Sequence, residues 1–120
     1  MSQTKERQGR LRVTAVGTVL RAQIAGEIDH HSAKALREEL DRQIYLHRPH
    51  ELVLELSGVA FMDSSGLGLI IGRLVTAKEV GAVMTLTGAD ARTRKIFEMA
   101  GLERMRGLTL EGAEEKRKNV

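Results

Sequence analysis

Cysteine is absent from this chain, which excludes disulfides, thiol nucleophiles and cysteine-ligated zinc and fits a reducing compartment. The cytoplasm is the expected location. Tryptophan is absent too, and the aromatics amount to one Tyr and two Phe. A core must therefore be built from Leu, Ile, Val, Met and Ala, which supply most of a 42% hydrophobic fraction. No apolar run approaches the roughly 20 residues that a helix needs to cross a bilayer. The charged start "MSQTKERQGR" is followed by no apolar signal segment, so neither secretion nor membrane insertion is expected. Excess charge of one sign is small: the net +3 comes largely from "KERQGR" near the start and "KRK" near the end. Runs of this kind read as solvated tails. A nucleic-acid footprint would place its basic residues on a folded face, often with aromatics for stacking.

What is present suits one domain, since 120 residues leave room for a single modest core. Residues 11–16, "LRVTAV", alternate apolar and polar, and Gly17-Thr18 separates them from a second run, "VLRAQIAGEI"; together they predict an antiparallel hairpin. From Ser32 the period becomes helical, with Ala33, Leu36, Leu40 and Ile44 on one face and Pro49, the only proline, ending it. "ELVLEL" at 51–56 reads as an interior strand covered on both faces, broken by Gly58. A second helix carries a stripe of Leu67, Ile70, Ile71, Leu74 and Val75 and ends at Gly81. "AVMTLT" at 82–87 reads as a strand, and "ADARTRKIFEMAGL" as a third helix with Thr93, Ile96, Phe97 and Ala100 on one face and a glycine ending at Gly101. The remainder reads as a short edge strand with a frayed helix, or as a tail. The expected order is β-β-α-β-α-β-α plus an open C-terminal element: an α/β domain with a mixed sheet of four to five strands. Its limits are set at 11–108, between a flexible tail at 1–10 and a polar tail or frayed helix at 109–120.

The most informative stretch is "FMDSSGLGLIIGR" at 61–73, on a loop at the carboxyl end of a parallel strand, where α/β sheets meet their ligands and partners. One member of Asp63-Ser64-Ser65 suffices to cap the helix that follows, and the other hydroxyl is then surplus. A serine hydrolase is disfavoured, because a nucleophile elbow needs glycine where the chain has Met62 or Asp63. The histidines do not assemble a triad either: His30 and His31 are adjacent and tend to point apart, and His47 and His50 flank the proline. Adjacent histidines make a poor metal chelate, and "SSGLG" lacks the lysine of a phosphate-binding loop. A serine that is itself modified remains, since phosphate adds roughly −1.5 to −2 charge at a surface that a partner has to cover.

"GEIDHHSAKAL" at 26–36, the 61–73 stretch and "IFEMAGL" at 96–102 resemble the anti-sigma factor antagonists, small bacterial STAS-domain proteins, most of all those of the forespore sigma factor in sporulation. The resemblance covers about residues 11–108. It implies a protein that is not an enzyme and needs no cofactor or metal, with Ser65 as the phosphorylation site and Ser64 capping the helix beside it. Asp29, Asp63, Ser64, Gly66 and Met62 would take part in partner contact. Asp29 has the alternative role of capping the first helix, and Gly66 and Gly68 that of allowing tight packing. Phe61 is expected in the core, and Met62 in core or contact surface. The implied partners are an anti-sigma factor that is a serine kinase and a PP2C-type phosphatase. The unphosphorylated monomer would bind the kinase and release the sigma factor, and phosphate on Ser65 would oppose that binding. A scaffold STAS domain within a larger stress-signalling complex is the alternative, and a nucleotide-binding module a more distant one.

Overall fold

A computed structural model describes residues 9–111. Of the tails expected at 1–10 and 109–120, residues 1–8 and 112–120 lie outside the described residues. β1 (Arg10–Val16) and β2 (Val19–Ile28) form the predicted hairpin, pairing from Val16–Val19 to Arg10–Ala25. Gly17, at φ +60°, supplies the positive φ of a tight hairpin turn. The Thr18 carbonyl then accepts the His50 and Glu51 N–H groups, so the turn fixes where the next strand begins. After α1 (His30–His47) come β3 (Glu51–Met62), α2 (Ser64–Glu79), β4 (Val83–Thr87), α3 (Ala91–Met99), a 3-10 turn (Leu102–Arg104) and β5 (Leu108–Leu110). The open C-terminal element is thus an edge strand, parallel to β4.

The sheet follows chain order, β1-β2-β3-β4-β5, antiparallel at the first pair and parallel at the other three. Parallel neighbours in chain order, joined by crossovers of one hand, carry their helices on one face. The burial pattern agrees: Leu20, Ala22 and Ile24 are buried while Arg21 and Gln23 between them are exposed. Leu52, Leu54, Leu56, Met84 and Leu86 continue this core, with Leu36, Leu40 and Ile44 from α1, Ile70 and Leu74 from α2, and Phe97 from α3 above it. β3 is therefore covered by helices on one face, not on both as "ELVLEL" suggests. On its other face the Gln23 amide donates to Glu55 at 2.7 Å and the Thr85 hydroxyl to Glu51 at 2.8 Å.

Several boundaries move from those expected. α1 begins at His30, two residues before Ser32, because Asp29 caps it. β3 does not break at Gly58 but runs to Met62, with register shifts against β2 between Gln23 and Ala25 and between Gly26 and Glu27. Gly58 lies opposite Ala25, and a Cβ there would sit 2.9 Å from the Ala25 Cβ; the bare backbone lets a bulged strand stay paired. Carrying the alternation through Gly58 buries Met62 at 6% exposure and turns Phe61 outward at 47%, the reverse of the expected core placement of Phe61. In α2 the buried arc is Leu69, Ile70, Arg73, Leu74 and Ala77, whereas Val75 is exposed and Leu67 and Ile71 are half-buried. The helix touches α1 as well as the sheet, so its hidden arc is rotated toward α1 and takes in Gly66, Arg73 and Thr76. In α3, Ala100 is likewise exposed while Thr93 and Phe97 are buried. Gly101, at φ +78° with its N–H on the Glu98 carbonyl, turns the chain so that Leu102 is fully buried.

Two glycines of α2 have opposite expected responses. A Cβ at Gly66 would meet Met62 Cγ at 2.3 Å, whereas one at Gly72 would meet nothing within 4 Å. Gly66→Ala should lower the unfolding free energy by about 1–3 kcal/mol through overpacking. Gly72→Ala should raise it by about 0.5–1 kcal/mol through helix propensity. Urea denaturation of the two variants checks both signs.

Candidate functional site

β2 and β3 each pass into a helix through one aspartate. Asp29 stands between Ile28 and His30, and Asp63 between Met62 and Ser64. The strands end in register, Ile28 beside Met62, and the Asp63 N–H donates to the Ile28 carbonyl at 3.3 Å. The two helix starts are thereby held side by side. The 61–73 stretch is therefore not a loop in any extended sense: the connection is one residue long.

Both aspartates act as N-caps. The Asp29 carboxylate accepts the Ser32 N–H at 2.9 Å, and the Ser32 hydroxyl accepts the Asp29 N–H at 3.2 Å and reaches the Glu27 carbonyl at 3.0 Å. This reciprocal box satisfies two otherwise orphaned donors. It also holds the Asp29 carboxyl below its ordinary range, chiefly through the Ser32 N–H. At the second junction the Asp63 carboxylate accepts the Ser65 N–H at 2.8 Å. Ser64 is thus not the cap. It is the first residue of α2, exposed, and Ser65 is the second, half-buried. Among the described residues neither serine hydroxyl has a hydrogen-bond partner. Met62 and Gly66 lie beneath the junction, both buried, with Ile28 Cγ2 3.2 Å from a Cβ built on Gly66. They shape its floor, Met62 taking the core placement and Gly66 the tight packing expected as alternatives to partner contact.

Ser65 opens into a groove of about 660 Å³ between α1 and α2. Gly68 and Gly72 continue its α2 wall, and His30, His31, Lys34 and Arg37 form the α1 wall. Both adjacent histidines face this groove, which their adjacency argued against, yet neither hydrogen-bonds Ser65 among the described residues. The serine therefore lacks the base contact that activates a nucleophile. At the far end, the 95%-buried Arg73 brings Nε to 2.8 Å from Asp41 Oδ1. The N–H is misaligned, so this is a pairing of charges by proximity without an aligned hydrogen bond. Burial lowers the Arg73 pKa, and Asp41 opposes the change. Beyond it the Tyr45 hydroxyl donates to Glu79, which raises the Tyr45 pKa and ties the C-terminal halves of α1 and α2 together. Lys34, Arg37, Gly72 and Arg73 were not singled out by sequence reasoning. The signal lies in α1, where His30, Lys34 and Arg37 recur at i, i+4 and i+7 on a face that is not the Leu36/Leu40/Ile44 core face.

Comparison with known proteins matches the STAS domain family over residues 6–114. An anti-sigma F factor antagonist of Paenibacillus polymyxa is 34% identical over 84 residues, 70% of this chain and 72% of the relative. An anti-sigma-B factor antagonist of Bacillus subtilis is 34% identical over 84 residues, 70% and 75% of the two chains. The chain belongs to the STAS-domain anti-sigma factor antagonists. Members of this family are regulatory proteins and not enzymes. The fold is shared with the solved structure of the antagonist SpoIIAA in its unphosphorylated form: TM-score 0.72, 24% identity, 92% of this chain and 95% of that one. It is shared also with an anti-sigma factor antagonist from Mycobacterium paratuberculosis: TM-score 0.75, 23% identity, 86% of each chain. Among the described residues no helix of this antagonist is long and apolar enough to cross a membrane.

The caps carry a pH dependence. Asp29 and Asp90, the latter accepting the Thr93 N–H at 2.8 Å, both have carboxyls lowered by those backbone bonds. A carboxyl depressed on folding contributes stability above its unfolded pKa of about 3.9 and loses that contribution as pH falls through the folded value. Asparagine caps as well as aspartate but does not titrate. Asp29→Asn and Asp90→Asn should therefore flatten the fall of the unfolding free energy below about pH 4 and leave the fold intact near neutrality, as read by urea midpoints across pH.

Proposed function

We propose that this antagonist is a partner switch set by the phosphorylation state of Ser65. In its unphosphorylated form it binds an anti-sigma factor that is also a serine kinase and so releases the sigma factor. Phosphate on Ser65 prevents productive binding, and a PP2C-type phosphatase restores the binding form, in the cytoplasm and with this chain as a monomer. The observation that carries the reading is the assignment of the cap to Asp63: the helix start is satisfied without either hydroxyl, so Ser65 is available to a kinase at no structural cost. A related structure, of the Bacillus cell fate determinant SpoIIAA, is of a phosphorylated form, with TM-score 0.67 and 24% identity.

The docking surface surrounds the twin junction. Asp29 and Asp63 frame it, Ser64 and Gly68 are exposed on α2, and Phe61 adds an exposed apolar side chain just before the cap. Met62 and Gly66 support this surface from below. A dianion on Ser65 opposes docking through its desolvation against an apolar partner surface and through repulsion by an acidic one, while a helix N-terminus accommodates negative charge. The fold therefore persists and the change is made at the interface.

Incubation with the anti-sigma kinase and ATP, followed by mass spectrometry of the intact protein and its peptides, should place a single phosphate on Ser65. Phosphate on Ser64 alone, or none, contradicts the assignment. In a binding assay Ser65→Ala should bind the kinase constitutively and Ser65→Asp at least ~10-fold more weakly, a difference of about 1.4 kcal/mol. Equal affinities for the two variants contradict a switch by charge.

A further inference from the structure

The groove beside Ser65 is lopsided in charge. α1 turns His30, His31, Lys34 and Arg37 toward it and α2 contributes Arg73, but no carboxylate lines it. The nearby acids are already engaged: Asp29 and Asp63 in their caps and Asp41 on Arg73. Lys34 and Arg37 are exposed and have no carboxylate partner among the described residues, unlike Arg42 on Glu39 and Arg73 on Asp41. Arg37 is also close enough to Arg73 to disfavour its charge. Arg73 has Asp41, but Lys34 and Arg37 share the α1 wall with no carboxylate lining the groove beside them, and an anion of the right reach would pair with them. Ser65 lies on the opposite wall, in the first turn of α2, where the helix dipole adds in the same direction.

We propose that the α1–α2 groove receives, within the same chain, the phosphoryl group carried by Ser65, with Lys34 and Arg37 as its charge partners. This rests on the Ser65 reading above and states how the switch is held. The phosphoryl group stays at the junction end of the groove, and the long side chains of Lys34 and Arg37 reach toward it from α1. It fills and neutralises a basic groove that the unphosphorylated form leaves open to its partner. An aspartate at position 65 has a shorter reach and a single charge, so it reproduces this state incompletely.

The test installs phosphoserine at position 65 by genetic encoding, which makes it independent of any kinase, and follows the second ionisation of the phosphate by ³¹P NMR. The groups facing the phosphate are His30, His31, Lys34 and Arg37 from α1 and Arg73 from α2, with the Asp63 carboxylate adjacent. An unperturbed phosphoserine titrates at about 6. The expected result is a pKa about 0.5–1 unit lower in the otherwise unaltered chain than in Lys34→Gln/Arg37→Gln. The difference should shrink as salt rises from about 0.05 to about 0.5 M. Lys34→Arg/Arg37→Lys should keep the lowered value. Both altered side chains are exposed, and an unchanged melting temperature of the unphosphorylated glutamine variant verifies that it folds. Equal pKa values in the unaltered chain and the glutamine variant overturn the proposal. Failure of a kinase to modify Ser65 instead overturns the functional reading and leaves this titration to judge the groove.

Discussion

The hydrogen bond from the Asp63 N–H to the Ile28 carbonyl joins the ends of two parallel strands, and the functional region depends on it. It brings two one-residue strand-to-helix junctions into register, so that α1 and α2 start at the same level and run over the same face of the sheet. Each junction then needs a cap of its own, because neither has a loop to supply one. An aspartate at each fills that need, and the serines that follow Asp63 are released from structural duty.

The rest of the site follows from packing beneath that bond. Ile28, Met62 and Gly66 fill the space under the junction so tightly that a methyl group at position 66 has no room. α2 is pulled down onto the sheet at its first turn, and α1 is held against it farther along by Arg73 with Asp41 and Tyr45 with Glu79. Between these two anchors α2 presents Gly68 and Gly72 to α1. The missing side chains open the groove into which Ser65 faces.

Element order and the motif positions were legible in the sequence because the signals were local. Alternation in "LRVTAV", the α1 face of Leu36, Leu40 and Ile44, and the glycine ending at Gly101 each depend on a few neighbouring residues. The misreadings came from tertiary contacts. Gly58 looked like a break because its role is to fit against Ala25 on another strand, and stopping there hid the parity that buries Met62 and exposes Phe61. Val75 was assigned to the core because the hydropathy of α2 alone does not reveal that α1 covers Arg73 and Thr76. The cap was given to a hydroxyl where a carboxylate one residue earlier does the work, since Asp, Ser and Ser are nearly equivalent as caps and the strand's true end decides among them.

An acid, not a hydroxyl, starts α2 and leaves the serines free. Equilibrium unfolding of three alanine variants tests it most directly. Asp63→Ala should lose about 1 kcal/mol, the usual worth of an N-cap, with Ser64→Ala and Ser65→Ala each within about 0.5 kcal/mol of the parent. A loss of that size at Ser64 or Ser65, with Asp63→Ala neutral, would contradict the account.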